Sequence, residues 1–293
     1  MTPKVPVACV QKYRIQNMKR IVTIQDISCI GRCSLTVALP IISSFEIETA
    51  VIPTAVLSQH TAFPDFSFKD LTEEIPKIAS QWEKVNLKFD AIYTGYMGSE
   101  RQIDLTSDIF ERFGSDSLII VDPAMADNGR LYTGFSDDFA DSMLRLVKKA
   151  DIIIPNLTEA ALLLHKPYEP QKYTSEEYIR DMLKDLASLG CKQVILTGIS
   201  FDEEKLGAAG YDADKNECYF HFSRHFHRNF HGTGDVFASV VTGCLVRGLS
   251  LSEAIRNAVD FTALCLEYTI NDPEARWYGV NFEPALKHIS DYF

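Results

Sequence analysis

Short, almost wholly apolar runs that alternate with stretches of helical spacing constrain this chain more than any other feature. Arg20–Gln25 reads as a β-rich run that stops at Asp26, and Ile47–Leu57 as a second one broken at Pro53. Asp90–Gly95, Leu118–Val121, Asp151–Ile154 and Gln193–Thr197 follow. Helical spacing fills the gaps at Ser34–Ile42, Asp70–Val85, Gln102–Phe113, the stretch up to Lys149, Leu157–Leu164, Ser175–Leu189, Thr233–Arg247 and Ser252–Tyr268. Pro40, inside the first helical stretch, predicts a kink or an interruption. Strands apolar on both faces predict an α/β fold with a mainly parallel sheet covered by helices on both sides. Two shorter strands are expected between Leu206 and Phe222, with close backbone approach at Gly207–Gly210.

In such a sheet ligands bind beyond the carboxyl ends of the strands. Those ends carry Asp26, Asp122, Asn156 and Thr197, polar side chains that would converge on one crevice. Phe230-His231-Gly232-Thr233-Gly234-Asp235 then opens a small-residue helix. The glycines let backbone approach a ligand closely, and the first N–H groups of a helix suit an anion. Asp235 beside an anion site is either a helix cap or a group that takes a proton from an attacking hydroxyl.

Charge and composition narrow the possibilities. The chain has 293 residues, 46% hydrophobic and 24% charged, enough for a sizeable core. A formal net charge of −11 argues against nucleic acid or an anionic membrane as partner, but not against a nucleotide in a local pocket. No apolar run approaches the ~18 residues of a membrane span. The seven cysteines, Cys29 and Cys33 among them, are scattered with no C-x-x-C, so a reduced, cytoplasmic protein is expected. Residues 1–17 lack a signal-peptide pattern and are expected to be a disordered extension of a single domain over 18–293.

The sequence holds no G-x-x-x-x-G-K-[ST], no G-x-G-x-x-G and no protein-kinase motif, so phosphate chemistry would need another architecture. Asn156 and Glu159 share one face of a helix start. They suit a Mg²⁺–water cluster on a triphosphate, but on their own read first as a cap with an acidic first turn. Asp122 and Asp127 flank a glycine-containing loop at 124–134, where Asp122-Pro123 also reads as plain turn chemistry. His221, His225, His227 and His231 crowd together without the spacing of a metal site. His60, beside Thr61, is a better polar contact for a ligand ring.

Taken in order, Ile24-Gln25-Asp26, Leu57-Ser58-Gln59-His60-Thr61, Thr94-Gly95-Tyr96-Met97-Gly98, Val121-Asp122-Pro123, Ile154-Pro155-Asn156-Leu157-Thr158-Glu159 and Gly232-Thr233-Gly234-Asp235 resemble the ribokinase-like small-molecule kinases. Within them the pattern resembles the pyridoxal/pyridoxamine kinases, from about Lys19 to Tyr268. The resemblance implies a three-layer ribokinase-like sandwich without a separate lid domain, homodimeric and using ATP with Mg²⁺ and a monovalent cation such as K⁺. It implies pyridoxal, pyridoxamine and pyridoxine as acceptors. Asp235 matches the base that deprotonates the 5′-hydroxymethyl group, and Gly232, Thr233 and Gly234 match the anion hole. Asp127, Tyr132, Asn156, Glu159 and Thr197 match nucleotide positions, and Asp122, Asp127 and Glu159 match metal positions. Asp26, Leu57, His60, Thr61 and Tyr96 match the surroundings of the pyridine ring.

Two departures stand out. Pyridoxal kinases of this type place serine where this chain has Asp26, and an aromatic residue where it has Leu57. A carboxylate near a pyridine nitrogen favours a protonated ring or a cationic aminomethyl group, hence pyridoxamine alongside pyridoxal. Hydroxymethylpyrimidine kinases, a rival within the fold, often carry cysteine in place of Asp235. A sugar kinase or a non-catalytic protein that binds pyridoxal phosphate or nucleotide is the further alternative.

Overall fold

The computed structural model describes residues 18–136, 138–228 and 230–293. The extension expected over 1–17 lies outside them. In chain order the elements begin β1 (Arg20–Ser28), α1 (Leu35–Ser44), β2 (Glu48–Leu57), β3 (Phe68–Asp70), α2 (Ile75–Lys84), β4 (Ala91–Thr94), α3 (Glu100–Phe113) and β5 (Leu118–Val121). They continue with β6 (Ala126–Asp127), β7 (Arg130–Leu131), α4 (Phe139–Val147), β8 (Ile152–Ile153), α5 (Leu157–Leu163), α6 (Glu176–Ala187), β9 (Gln193–Ile199) and β10 (Lys205–Asp212). Last come β11 (Glu217–Arg224), α7 (Thr233–Val246), α8 (Leu251–Ile270) and a 3-10 segment, Glu283–Tyr292.

The nine-stranded sheet has the order β11-β10-β9-β8-β5-β4-β1-β2-β3. The pairs from β2 through β1, β4, β5 and β8 to β9 are parallel. Antiparallel strands close each edge: β3 against β2, and β10 and β11 beyond β9. The apolar strand interiors serve both faces. Val22, Ile24, Ile92 and Val121 face a core shared with α2 to α6. Ile21, Tyr93, Ile120 and Ile195 face a second core built with α1, α7, α8 and the C-terminal 3-10 segment. This is the expected three-layer arrangement, and apart from the small β6–β7 ladder no further sheet projects from it among the described residues. No helix among those residues is long and apolar enough to cross a membrane.

The structure departs from the sequence reading in several places. β1 does not stop at Asp26 but continues to Ser28, and β2 is continuous through Pro53. Proline has no N–H for the ladder, and the β1–β2 register slips between Gln25 and Ile27, just where Pro53 faces Gln25. α1 runs uninterrupted through Pro40. The glycine loop at 124–134 contains the β6–β7 hairpin. Asp70–Val85 is divided into β3, a 3-10 turn at Thr72–Glu74 and α2. In β10 the close approach expected at the glycines is present: a Cβ at Gly207 would collide with the carbonyl of His221, and one at Gly210 with the side chain of Ile255.

Candidate active site

α7 starts at the carboxyl edge of the sheet, and its start is built from backbone alone. Gly232 occupies the cap position with φ 80° and no side chain caps the helix. The left-handed backbone and a collision between any Cβ and the carbonyl oxygen of Arg32 both demand glycine there. Gly234 is different: a Cβ at that position meets nothing within 4 Å. The first turn of α7 therefore faces open space with its N–H groups lacking intrahelical partners.

Asp235 is the third helical residue and not the cap, which removes the simpler of its two readings. Burial pushes its carboxyl up to about 7; the Ser34 N–H opposes that shift and the negative charge of Asp26 adds to it. Ser34 heads α1 with φ 49°, a strained conformation that turns its backbone toward α7. The starts of α1 and α7 thus meet around one carboxylate. The sequence marked Ser34 only as the start of a helical run, and nothing in it signals this conformation.

Asp26 is 4% exposed, and its carboxylate accepts a hydrogen bond from Ser28 Oγ at 3.2 Å. Burial raises its proton affinity, and the Ser34 and Ser28 hydroxyls hold it back. Cys33 lies in the same neighbourhood, its thiol pushed up to about 12 by burial and by the charge of Asp235. Tyr96 stacks on Phe135 with ring centroids 5.6 Å apart, and burial, then Asp26, raises its hydroxyl. Leu57 is buried at the end of β2 and its carbonyl accepts from the Cys29 N–H at 2.9 Å. His60 is held by its N–H to the carbonyl of Ile30 at 2.7 Å, and its ring lies 4.7 Å from that of His231. Burial, then the neighbouring His231, lowers its pKa. Thr61 is exposed on the same loop.

The acid-and-amide group lies at the start of α5, after β8. Asn156 caps α5: its Oδ1 accepts from the N–H groups of Thr158 at 2.8 Å and Glu159 at 3.0 Å. Glu159 accepts in return from the N–H of Asn156 at 2.9 Å, so the capping reading of this pair is correct. The pair does more than cap. Glu159 Oε1 also accepts from Met125 N–H at 2.9 Å, and Asn156 Nδ2 donates to the carbonyl of Ala126 at 2.7 Å. Together they pin the β6–β7 hairpin over the crevice. Thr197 bridges to Asn156 through the backbone and is followed by Gly198, whose surroundings are open.

Burial pushes Glu159 up to about 7, its backbone hydrogen bonds opposing the shift. Asp122 is raised further by burial and by the charges of Glu159 and Asp235; its one backbone donor is Ala124, at 3.2 Å. Asp127 is exposed and bonded to Asn128, and the Tyr132 hydroxyl is raised by burial, then by the charges of Glu159 and Asp122. The charges that raise these carboxyls are themselves acidic: Glu159 and Asp235 act on Asp122, Asp127 on Glu159, and Asp26 on Asp235. Oxygen donors of this kind fit a hard divalent cation. Among the described residues no three acidic, His or Cys side chains converge to hold an ion by themselves, so Asp122, Asp127 and Glu159 do not form a closed metal cage.

The sheet order, the two-sided helical cover and the backbone-only helix start beside Asp235 define a ribokinase-like kinase fold. The family model for phosphomethylpyrimidine kinase matches residues 41–275. The chain belongs to that family. A crystal structure from Bacteroides thetaiotaomicron, classed provisionally as a phosphomethylpyrimidine kinase and solved with pyridoxal, is 40% identical. It covers 93% of this chain and 96% of its own, with a TM-score of 0.88. Pyridoxal kinase from Lactobacillus plantarum is 29% identical over 93% of this chain and 97% of its own, with a TM-score of 0.85. The chloroplastic thiamine biosynthetic bifunctional enzyme of Arabidopsis thaliana is 25% identical over 83% of this chain, which spans only 45% of that protein.

Proposed function

We propose that this protein transfers the γ-phosphoryl group of ATP to the 5′-hydroxymethyl group of pyridoxal, pyridoxamine or pyridoxine. The observation that carries the reading is the position of Asp235, a carboxylate with its pKa raised to about 7, beside a glycine-built helix start. A base near neutrality can take the hydroxyl proton as the oxygen attacks phosphorus. The N–H groups of Thr233, Gly234 and Asp235 stabilise the charge on the transferring phosphoryl group, and the open space over Gly234 leaves room for it. The proton ends on Asp235, the new P–O bond forms as the bond to ADP breaks, and ADP leaves as the anion.

Asn156, Thr197 and Tyr132 border the nucleotide, and Asp122 with Glu159 would hold Mg²⁺ through water, Asp127 adding charge from the hairpin. When bound, the ion supplies neutralisation of the phosphate oxygens. A monovalent cation such as K⁺ belongs to the same acidic region near Asp122. Asp26, Leu57, His60, Thr61 and Tyr96 surround the ring. The pyridoxal-bound relative at 40% identity supports a pyridine acceptor. The same reading takes 18–293 as one kinase domain that acts as a cytoplasmic homodimer.

Asp26 also favours a second reading. A buried carboxylate pairs as well with the aminopyrimidine edge of hydroxymethylpyrimidine as with a protonated pyridine. The family name and the Arabidopsis relative point the same way. Steady-state phosphorylation of pyridoxal, pyridoxamine and hydroxymethylpyrimidine, measured side by side, separates the two. A clear preference for the pyrimidine overturns the first reading.

A further inference from the structure

Beside the start of α7, three segments far apart in the chain bring aromatic rings together. The loop after β2 brings His60 and Phe63, the residue before Gly232 is His231, and the segment after α8 brings Trp277 and Tyr278. Their rings form a continuous chain. His60 and His231 lie 4.7 Å apart, His231 and Trp277 6.4 Å, Trp277 and Phe63 4.5 Å, and Phe63 and Tyr278 5.3 Å. Trp277 is 58% exposed, an indole open to solvent beside the half-buried Phe63 and Tyr278.

The segment that carries Trp277 is clasped to Arg32, which packs against the start of α7. Arg32 donates to Asn281 Oδ1 and forms an ion pair with Glu283 at 3.0 Å. Asn281 in turn donates to Asp272 at 2.8 Å and to Thr269 Oγ1 through its N–H at 2.7 Å. A Cβ at Gly279 would strike the side chain of Arg32, whose carbonyl presses on Gly232 from the other side. Arg32 is therefore held between the Trp277 segment and the start of α7. The placement of Trp277 relative to Asp235 is set by packing on both sides of one residue.

We infer that Trp277, backed by Phe63, is a positioning residue that holds the His60–His231 pair in place as an aromatic wall and so selects planar aromatic acceptors over aliphatic alcohols such as sugars. In the proposed site the acceptor's hydroxymethyl arm reaches Asp235, and its ring lies among the residues assigned to it, Tyr96 and His60 included. A flat, polarisable wall adds stacking and dispersion to a flat ring and gives little to a non-planar sugar. The inference rests on the proposed phosphoryl-transfer site but concerns acceptor binding alone.

The test measures acceptor binding directly by calorimetry, with pyridoxal, hydroxymethylpyrimidine and ribose as probes, on wild type, Trp277→Ala and Trp277→Phe. Loss of one aromatic contact corresponds to roughly three- to tenfold weaker binding. Trp277→Ala is expected to weaken the preferred ring acceptor by that factor and raise its KM in parallel. The kcat and the KM for ATP stay within about twofold, and Trp277→Phe restores the binding. In a Trp82→Phe background, which leaves Trp277 as the one indole, emission is expected to change on addition of the ring acceptor and not of ribose. Unchanged acceptor affinity in Trp277→Ala, or ribose bound as tightly as the rings, overturns the inference. A wild type that binds the ring without phosphorylating it overturns the catalytic reading and leaves the wall standing. One that binds neither ring overturns both.

Discussion

The carbonyl oxygen of Arg32 stands where a side chain on Gly232 would have to go, while the space above Gly234 is open. Two glycines that look alike in the sequence therefore have different reasons to be glycine. Gly232→Ala combines a disfavoured φ with a backbone collision and is expected to cost roughly 2 kcal/mol or more of stability. Gly234→Ala should leave the melting temperature unchanged or slightly raised, since alanine is the better helix former. It is nevertheless expected to lower kcat by about tenfold or more, because its methyl group enters the space proposed for the phosphoryl group. Thermal unfolding beside steady-state kinetics checks both. A fully active Gly234→Ala would place the phosphoryl group elsewhere.

Asp235 makes activity and stability move in opposite directions with pH. Its folded pKa, about 7, lies above its ordinary 3.8, so the folded chain holds a proton that the unfolded chain has lost. The stability this provides is full below about pH 4 and is lost as pH rises toward 7. Activity needs the ionised base and is expected to rise with pH through the same range. Asp235→Asn should thus lose most of its turnover yet be more stable than wild type at pH 8, by on the order of 1–2 kcal/mol after discounting for solvent near a half-buried group. Denaturant unfolding at pH 5 and pH 8 reads the difference. A variant less stable than wild type at pH 8 would show that the carboxylate is structurally needed.

Glu159 is expected to matter to the fold before it matters to the nucleotide. Its carboxylate holds the N–H groups of Met125 and Asn156 at 2.9 Å. Glu159→Ala leaves those donors buried and unpaired and should cost about 2–4 kcal/mol, with Glu159→Gln recovering part of it. Urea titration of the two variants measures the loss. A loss in ATP affinity with no loss in stability would contradict this and make the carboxylate chiefly a ligand of the nucleotide's metal.

Asp26 is the position to vary for acceptor choice. Asp26→Ser removes the buried negative charge and is expected to lower kcat/KM for pyridoxamine relative to pyridoxal by roughly tenfold, the worth of one charge-assisted hydrogen bond. Competition between the two acceptors in a single assay gives the ratio directly. An unchanged ratio means that Asp26 faces neither the aminomethyl group nor the ring nitrogen.

Much of the fold was legible because strands apolar on both faces can only be buried between two helical layers. Val22 and Ile21, neighbours in β1, do face opposite cores. The local departures arise where tertiary structure overrides a local preference, as at Pro40 inside an unbroken helix and at Pro53 in an unbroken strand. At the site, the sequence could not tell whether Asp235 was a cap, because a cap differs from a third helical residue by backbone geometry alone. Asn156 and Glu159 were legible as a capping box, but not their hold on Met125 and Ala126, which depends on contacts some 30 residues away. Apart from His60, the ring wall was illegible for the same reason. Trp277 lies in no motif, and only folding brings it to Phe63 and His231.

The most direct test of the central claim is turnover of pyridoxal with ATP and Mg²⁺ by wild type and by Asp235→Asn, following pyridoxal 5′-phosphate and ADP together. Wild type is expected to release one ADP per phosphorylated pyridoxal. Asp235→Asn is expected to lose about 10²–10⁴-fold in kcat, with ATP binding retained. An Asp235→Asn variant that turns over near the wild-type rate, or a wild type that phosphorylates none of the B6 acceptors, would contradict it.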